Sequence, residues 1–436
     1  MDRAELSTEV CVAGGGPAGV VLGLLLARAG VEVVVLEKHA DFFRDFRGDT
    51  VHPSTLDLID QLGVRDEFER IPHTRVTTLD VVVNGVRLRP LDLRSLRGPN
   101  REIALMPQWD LLDLLANEGR RHPGFRLVMG AEVTDVRREA GRVTGVVART
   151  GSGELMVTAP VTVAADGRGS TVRRRLGLPV REYGVPIDVL WLRLPRPATP
   201  LPDTLGYLTG GSMVITIPRP DYLQCGMLIP KGSFDEVRAR GLPAFRDGIA
   251  RAAPPLREVV DALTDWDDVK LLSVQVNRLP RWSVDGALCI GDAAHAMSPA
   301  FGVGINYAVQ DAVATANILV PVLRRRPGTT AAVDAPAVDA AAVDAAFQRV
   351  QRRRARPTAL MQGLQVRVHR VIADGGGMRL FHSPPTRVER ATAAAVVRVV
   401  RPLGARLVGY GFRPERIKPH VLRGSGNDGP ARLTGP

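Results

Sequence analysis

The order of apolar and polar positions near the N-terminus describes one strand–helix–strand unit. Residues 8–13, TEVCVA, are a short apolar run, and a glycine-rich turn, GGGPAG, follows at 14–19. Residues 18–29 read as an apolar helix stopped by Gly30, since glycine readily takes the left-handed conformation that ends a helix. Residues 31–36, VEVVVL, are rich in β-branched side chains, as in a strand buried on both faces.

Further along, 53–62 has helical spacing, and Asn84-Gly85 between 76–83 and 86–88 signals a hairpin. A helix is predicted over 109–121, a second hairpin at 131–138 and 142–149 around Gly141, and a buried strand at 161–164, just before Asp166-Gly167. From about 187 to 276 the texture changes to strands alternating with Pro and Gly turns, which predicts a mostly antiparallel second domain. Strand–turn–helix character returns at 287–323. Beyond 324 come a low-complexity stretch, GTTAAVDAPAVDAAAVDA, and an Arg-rich helix from about Val343. The last dozen residues are expected to be disordered.

Composition changes this picture little. The 436 residues suggest two domains with an appendage. The net charge of +12 comes from 58 basic residues, of which only Lys38, Lys231, Lys270 and Lys418 are lysines. So strong an arginine bias, with abundant Ala, Val, Gly and Pro, reads as the codon usage of a GC-rich genome. Nucleic-acid binding is not expected, because no aromatics interleave with the arginines to form a stacking surface. The cluster QRRRARP at 351–357 could touch anionic lipid, but it reads as a solvated helix face. Cys11, Cys225 and Cys289 form no CxxC pair, so neither a metal site nor a disulfide framework is expected. The longest apolar stretches fall far short of the about 20 residues a membrane span needs. With no signal peptide in view, a cytoplasmic protein without stable membrane insertion is expected.

Two turns carry chemistry. Gly14, Gly16 and Gly19 match GxGxxG between a strand and a helix, where glycines allow a tight turn, close approach of a pyrophosphate and helix-on-strand packing. Glu37 ends the second strand, where an acid would hold ribose hydroxyls. The next such turn comes only at Gly291-Asp292, in GALCIGDAAHAMSPAFGVGIN. A carboxylate there can bind a ribitol chain, and Gly302 and Gly304 leave room for a flat ring. The helix starting near Gly304 aims its positive end at that ring. A reduced flavin is negative near N1 and O2, so FAD is the dinucleotide that suits both turns.

These motifs, with AADGRGS at 164–170 between them, resemble the class A single-component FAD-dependent aromatic monooxygenases of the para-hydroxybenzoate hydroxylase type, over about residues 8–325. The resemblance implies an α/β fold: a Rossmann-like FAD-binding domain (1–72, 98–176 and 277–325) with an inserted, mostly antiparallel β-sheet substrate domain (73–97 and 177–276). A C-terminal helical segment (326–436) with a low-complexity linker and flexible tail completes the chain. It also implies that Glu37 binds the adenosine ribose, and that Arg47 contacts flavin and pyrophosphate, unless it is one more surface arginine. Gln108 would touch ribitol or phosphate, or merely cap a helix. Asp166 would serve both FAD and the reduced nicotinamide, or merely form a turn. Asp292 would bind the ribitol, Pro299 would sit by the flavin's reactive edge, and Gly302, Gly304, Ile305 and Asn306 would line its pyrimidine side. His295 is expected to anchor its loop.

The implied activity is hydroxylation of an aromatic or polyketide-like small molecule with NADPH or NADH and O2, through a C4a-hydroperoxyflavin. A flavin reductase or oxidase, or a non-catalytic flavin-binding basic scaffold, are the alternatives. Tyr222 and Gln224 share one face of a strand and are candidates to contact substrate, although that face could equally be solvated. Trp191 reads as core. The four tryptophans are isolated, which departs from the WxWxIP motif of the related halogenases, and the tail lacks the strand alternation of a third, thioredoxin-like domain. A monomer or homodimer is expected.

Overall fold

The computed structural model describes residues 3–43, 50–198, 204–209, 211–219, 221–325, 338–373 and 386–422. Its centre is a six-stranded sheet. Strand β1 (Val10–Ala13) leads through helix α1 (Pro17–Arg28) to β2 (Val33–Glu37). Helix α2 (Gln108–Arg120) precedes β3 (Phe125–Met129), and β4 (Val161–Ala164) and β5 (Ala287–Cys289) complete the parallel set. The order is β5-β4-β1-β2-β3, all parallel, with the short strand Ser283–Val284 antiparallel on the β5 edge. Every residue of β1, β2, β4 and β5 is buried, which is why these segments read as unbroken apolar runs rather than alternating ones.

Helix α3 (Gly304–Leu323) follows β5 and packs against α1. Ten of the twelve residues of α1 are buried, so it is a core helix and not an amphipathic surface one. Two further helices close the molecule: α4 (Ala340–Ala373) and α5 (Arg387–Tyr410).

The second domain is built on a seven-stranded sheet. The hairpin Thr78–Val83 and Val86–Asp92 joins it from an early part of the chain, pairing in parallel with Thr204–Thr209. The other pairings, among Thr204–Thr209, Ser212–Pro218, Tyr222–Pro230, Ile187–Pro195 and Lys270–Leu272, are antiparallel. One face packs Leu190, Leu192, Leu223 and Cys225 against Phe245 and Ile249 of the helix Leu242–Ala252. The opposite face carries Val189 and Trp191, which cluster with Val366 of α4. This face therefore looks towards the Rossmann-like domain and its C-terminal helix. The predicted tail and the low-complexity stretch up to 337 lie outside the described residues, while the end of that stretch, from Ala340, is helical and opens α4. Among the described residues, no helix is long and apolar enough to cross a membrane.

One expectation needs correction. The QRRRARP segment is solvated only in part: Arg352 and Arg356 are exposed, but Arg354 is fully buried in α4, and its Nε donates to Asp311 Oδ1 of α3 at 2.9 Å. Its other nitrogens donate to Gln310 Oε1, Glu415 Oε1 and the Arg413 carbonyl. Charge density alone could not reveal this, because the acids that neutralise Arg354 are distant in sequence.

Candidate active site

Because β1, β4 and β5 are adjacent and parallel, their C-terminal ends lie along one edge of the sheet. The GxGxxG turn, the Asp166 turn and the Gly291-Asp292 turn therefore meet there. The contacts are direct. A Cβ at Gly14 would sit 2.4 Å from the Ala165 carbonyl oxygen, and one at Gly291 would sit 3.2 Å from Ala18 Cβ of α1.

The three glycines of the first turn have separate roles. Gly14 has φ +105°, a conformation that disfavours any other residue. A Cβ at Gly19 would lie 1.8 Å from the Gly14 carbonyl oxygen, so Gly19 allows helix and strand to touch. A Cβ at Gly16 would meet nothing within 4 Å. Gly16 is also the N-cap of α1 and supplies no side chain to its first N–H groups. Open space before an uncapped helix start suits a phosphate. Glu37 is buried at the end of β2, where Oε2 accepts from the Gly15 N–H at 2.9 Å and Oε1 from the His39 N–H at 3.1 Å. This fixes the carboxylate beside the turn. Past it, Phe43, Trp109, Asp113 and Met129 help line a cleft of about 260 Å³.

At the other end, Asp292 is half-buried and accepts from Arg168 Nε at 3.1 Å. Arg168 also reaches the Met297 carbonyl, at 3.4 Å. Asp166 accepts from Ser170 Oγ and from the Val172 N–H, and burial pushes its carboxyl above the usual range against those hydrogen bonds. The loop 299–303 contains Phe301 at φ +68°, a strained position for an aromatic residue, and Gly302 at φ +64°. Thr50 Oγ1 holds this loop by donating to the Gly302 carbonyl at 2.8 Å. Val303 gives α3 no side-chain cap, and a Cβ at Gly304 would meet nothing within 4 Å. Asn306 is buried; its Oδ1 accepts from Thr55 Oγ1 at 2.6 Å, and its Nδ2 has no partner among the described residues. A second helix start thus faces open space, with an unpaired buried donor beside it. The residues fit a dinucleotide running from Glu37 past Gly16 and Asp292 to Gly304 and Asn306.

Residues 7–336 match the family model described as "FAD binding domain". A 6-methylpretetramide 4-monooxygenase of Streptomyces rimosus is 37% identical over 347 residues, covering 79% of this chain and 82% of that protein. The chain belongs to the class A FAD-dependent aromatic monooxygenases. Two solved structures share its fold. PqsL from Pseudomonas aeruginosa has a TM-score of 0.71 at 23% identity, with coverage of 90% of this chain and 100% of that one. The OxyS anhydrotetracycline hydroxylase from Streptomyces rimosus has 0.68 at 21%, covering 93% and 76%.

The monooxygenase is thus an FAD enzyme, and its site draws on residues that sequence reading passed over. Helix α4 clamps the loop that carries Pro299. Gln362 Nε2 donates to the Ala296 carbonyl at 2.8 Å, and Gln365 Nε2 donates to the Ser298 and Ala300 carbonyls at 3.0 and 2.9 Å. His369 Nε2 bonds Ser298 Oγ, and burial lowers the pKa of this imidazole to about 4, so it is neutral at pH 7. These residues recur on one helix face, but nothing in the sequence names their carbonyl partners. His295 anchors its loop through Nε2 to Asp311 Oδ2 at 2.5 Å, and the same oxygen accepts from the Gly291 N–H.

Gln108 is the first residue of α2, as expected for a helix-start residue. Arg47 lies outside the described residues. Tyr222 is half-buried under the Arg193 guanidinium, and Gln224 is buried with Oε1 accepting from Arg219 at 3.0 Å. Gln224 is therefore not solvated, whereas Tyr222 lies against the exposed Arg193. Trp191 is core, and its Nε1 is buried without a partner among the described residues.

Asp292→Ala is expected to weaken FAD binding by about 1–3 kcal/mol, the scale of a charged hydrogen bond. An unchanged dissociation constant in a flavin-fluorescence titration would remove Asp292 from the ribitol role.

Proposed function

We propose that the monooxygenase hydroxylates a phenolic, aromatic or polyketide-like small molecule, using NADPH or NADH and O2. The observation that carries this reading is the union of the two open helix starts, Gly16 and Gly304, on one sheet edge below the apolar face of the second domain. The name of the 37% identical relative points to a fused aromatic polyketide as the substrate class.

Bound FAD supplies the redox and oxygen-transfer chemistry. The chain's own residues position and exclude. Glu37 would hold the adenosine ribose, the N–H groups of α1 after Gly16 would hold the pyrophosphate, and Asp292, steadied by Arg168, would hold the ribitol. Asn306 Nδ2 and the first N–H groups of α3 would support the ring's polar edge, where their positive potential favours negative charge. The Pro299 loop, gripped by Gln362, Gln365 and His369, would position the ring's reactive edge.

Opposite it, Trp191, Ile217 and Val366 make an apolar wall that keeps water out of the reaction.

The test is a coupled assay on FAD-loaded protein with fused-ring phenols. A substrate that raises NAD(P)H and O2 consumption together, and gains one oxygen atom by mass, is the expected result. Substrate-stimulated NAD(P)H use without oxygen uptake would replace this reading with a reductase.

A further inference from the structure

Helix α4 has a second face. Where it leaves the flavin loop it passes the small ladder Arg181–Glu182 with Asn277–Arg278. Between them lies a pocket of about 220 Å³, lined by Tyr183, Arg278, Gln362, Val366, Arg367 and Arg370 among others. The Arg278 guanidinium lies 4.9 Å from the Tyr183 ring centroid and that of Arg181 lies 5.5 Å from it. Arg278 also donates to Tyr183 Oη at 2.6 Å and to Gln362 Oε1 at 2.8 Å.

Three arginines, Arg278, Arg367 and Arg370, therefore line one aromatic-walled pocket, and Arg181 stacks on its Tyr183 wall. Among the described residues none of them has a carboxylate within 4 Å. Glu182, the acid nearest in sequence, accepts instead from Asn277 Nδ2 at 3.0 Å. Arg367 and Arg370 stand three residues apart on one helix, where like charges repel. Such a cluster is relieved by an anion, and the guanidinium fork matches phosphate oxygens.

The pocket also shares a wall with the catalytic loop. Gln362 accepts from Arg278 on the pocket side, while its Nε2 donates to the Asn277 and Ala296 carbonyls on the loop side. Arg168 grips the next carbonyl, Met297, from the FAD side. An anion held here lies one side chain away from the loop that sets the flavin edge.

We propose that this pocket holds phosphate groups of the nicotinamide dinucleotide that delivers electrons to the flavin. The proposal rests on the reading above that the monooxygenase uses NAD(P)H. The shared chemistry is phosphate; the pyrophosphate of either dinucleotide and the 2′-phosphate of NADPH are its two sources.

The test uses the FAD-loaded full chain and the variant Arg367→Gln/Arg370→Gln. Equilibrium titration with ADP-ribose and with 2′-phospho-ADP-ribose, which carry the phosphates without nicotinamide, reads binding directly. Anaerobic flavin reduction by NADH and by NADPH reads its concentration dependence. In the variant the dissociation constants and the half-saturating dinucleotide concentration are expected to rise by about tenfold or more, while FAD content and the limiting reduction rate hold within about twofold. The wild-type affinity should fall more steeply with salt than the variant's. Arg367→Lys/Arg370→Lys, which keeps the charge, should retain most of the affinity.

Loss confined to the 2′-phosphorylated ligands assigns the pocket to the 2′-phosphate, and loss with all of them assigns it to the pyrophosphate. Wild type and Gln variant binding and reducing alike would overturn the pocket while leaving NAD(P)H use intact. Wild-type flavin that neither dinucleotide reduces would overturn both.

Discussion

Arg354→Ala is expected to destabilise the monooxygenase by about 3–5 kcal/mol, the cost of stripping one partner from a buried ion pair. Arg354 and Asp311 are both fully buried, and Glu415 is nearly so. Desolvation pushes the Asp311 carboxyl up, yet His295 and Arg354 outweigh it and hold the group below the usual carboxylate range. Removing Arg354 leaves Asp311 with the imidazole and the Gly291 N–H alone, takes the donor from the Arg413 carbonyl, and leaves Glu415 paired with Arg353 only. The loss should reach function, because Asp311 also holds Gly291 and His295, which flank Asp292 in the cofactor turn. Chemical denaturation should show the lowered midpoint, and FAD release should accompany it. Arg354→Met combined with Asp311→Asn should recover part of the stability, since the uncompensated charge is then gone. A single alanine variant as stable as wild type would mean that the buried pair contributes nothing to the fold.

Gly16→Val separates cofactor binding from folding. The backbone at Gly16 has φ −73° and ψ −175°, an extended conformation open to valine. Since an added Cβ meets no protein atom within 4 Å, the fold should accept it. The space it fills is where a pyrophosphate must approach the first N–H groups of α1. FAD affinity should drop by about 100-fold or more, the scale of losing two or three charged hydrogen bonds, with the unfolding midpoint close to wild type. Gly19→Val should instead damage the fold, because its Cβ would overlap the Gly14 carbonyl. Purified Gly16→Val protein that stays fully yellow would contradict the assignment of this turn to the phosphates.

The parallel sheet was legible because strands buried on both faces are written as unbroken apolar runs, and because glycines mark the turns that follow them. The same logic located Glu37, Asp292 and the Gly304 helix start, each at the end of a strand or the beginning of a helix. Side chains acting through tertiary contact were not legible. Arg354 looked like one more surface arginine in a run of them, and only the fold shows that Asp311 and Glu415 meet it. Gln365 and His369 are ordinary helix residues until the Ser298 loop is seen beneath them. The strand Tyr222–Pro230 was read as alternating from Tyr222 to Ile229, yet 223–226 are buried on both faces, and alternation does not say which face meets a neighbour. The structure turns Gln224 inward to Arg219.

The central claim is that one FAD spans the sheet edge from Glu37 to Asn306, and equilibrium titration of flavin-free protein with FAD tests it most directly. The account predicts one FAD bound per chain, with quenched flavin fluorescence and a shifted visible absorption band. Protein that stays colourless and leaves the added flavin's fluorescence unchanged would contradict it.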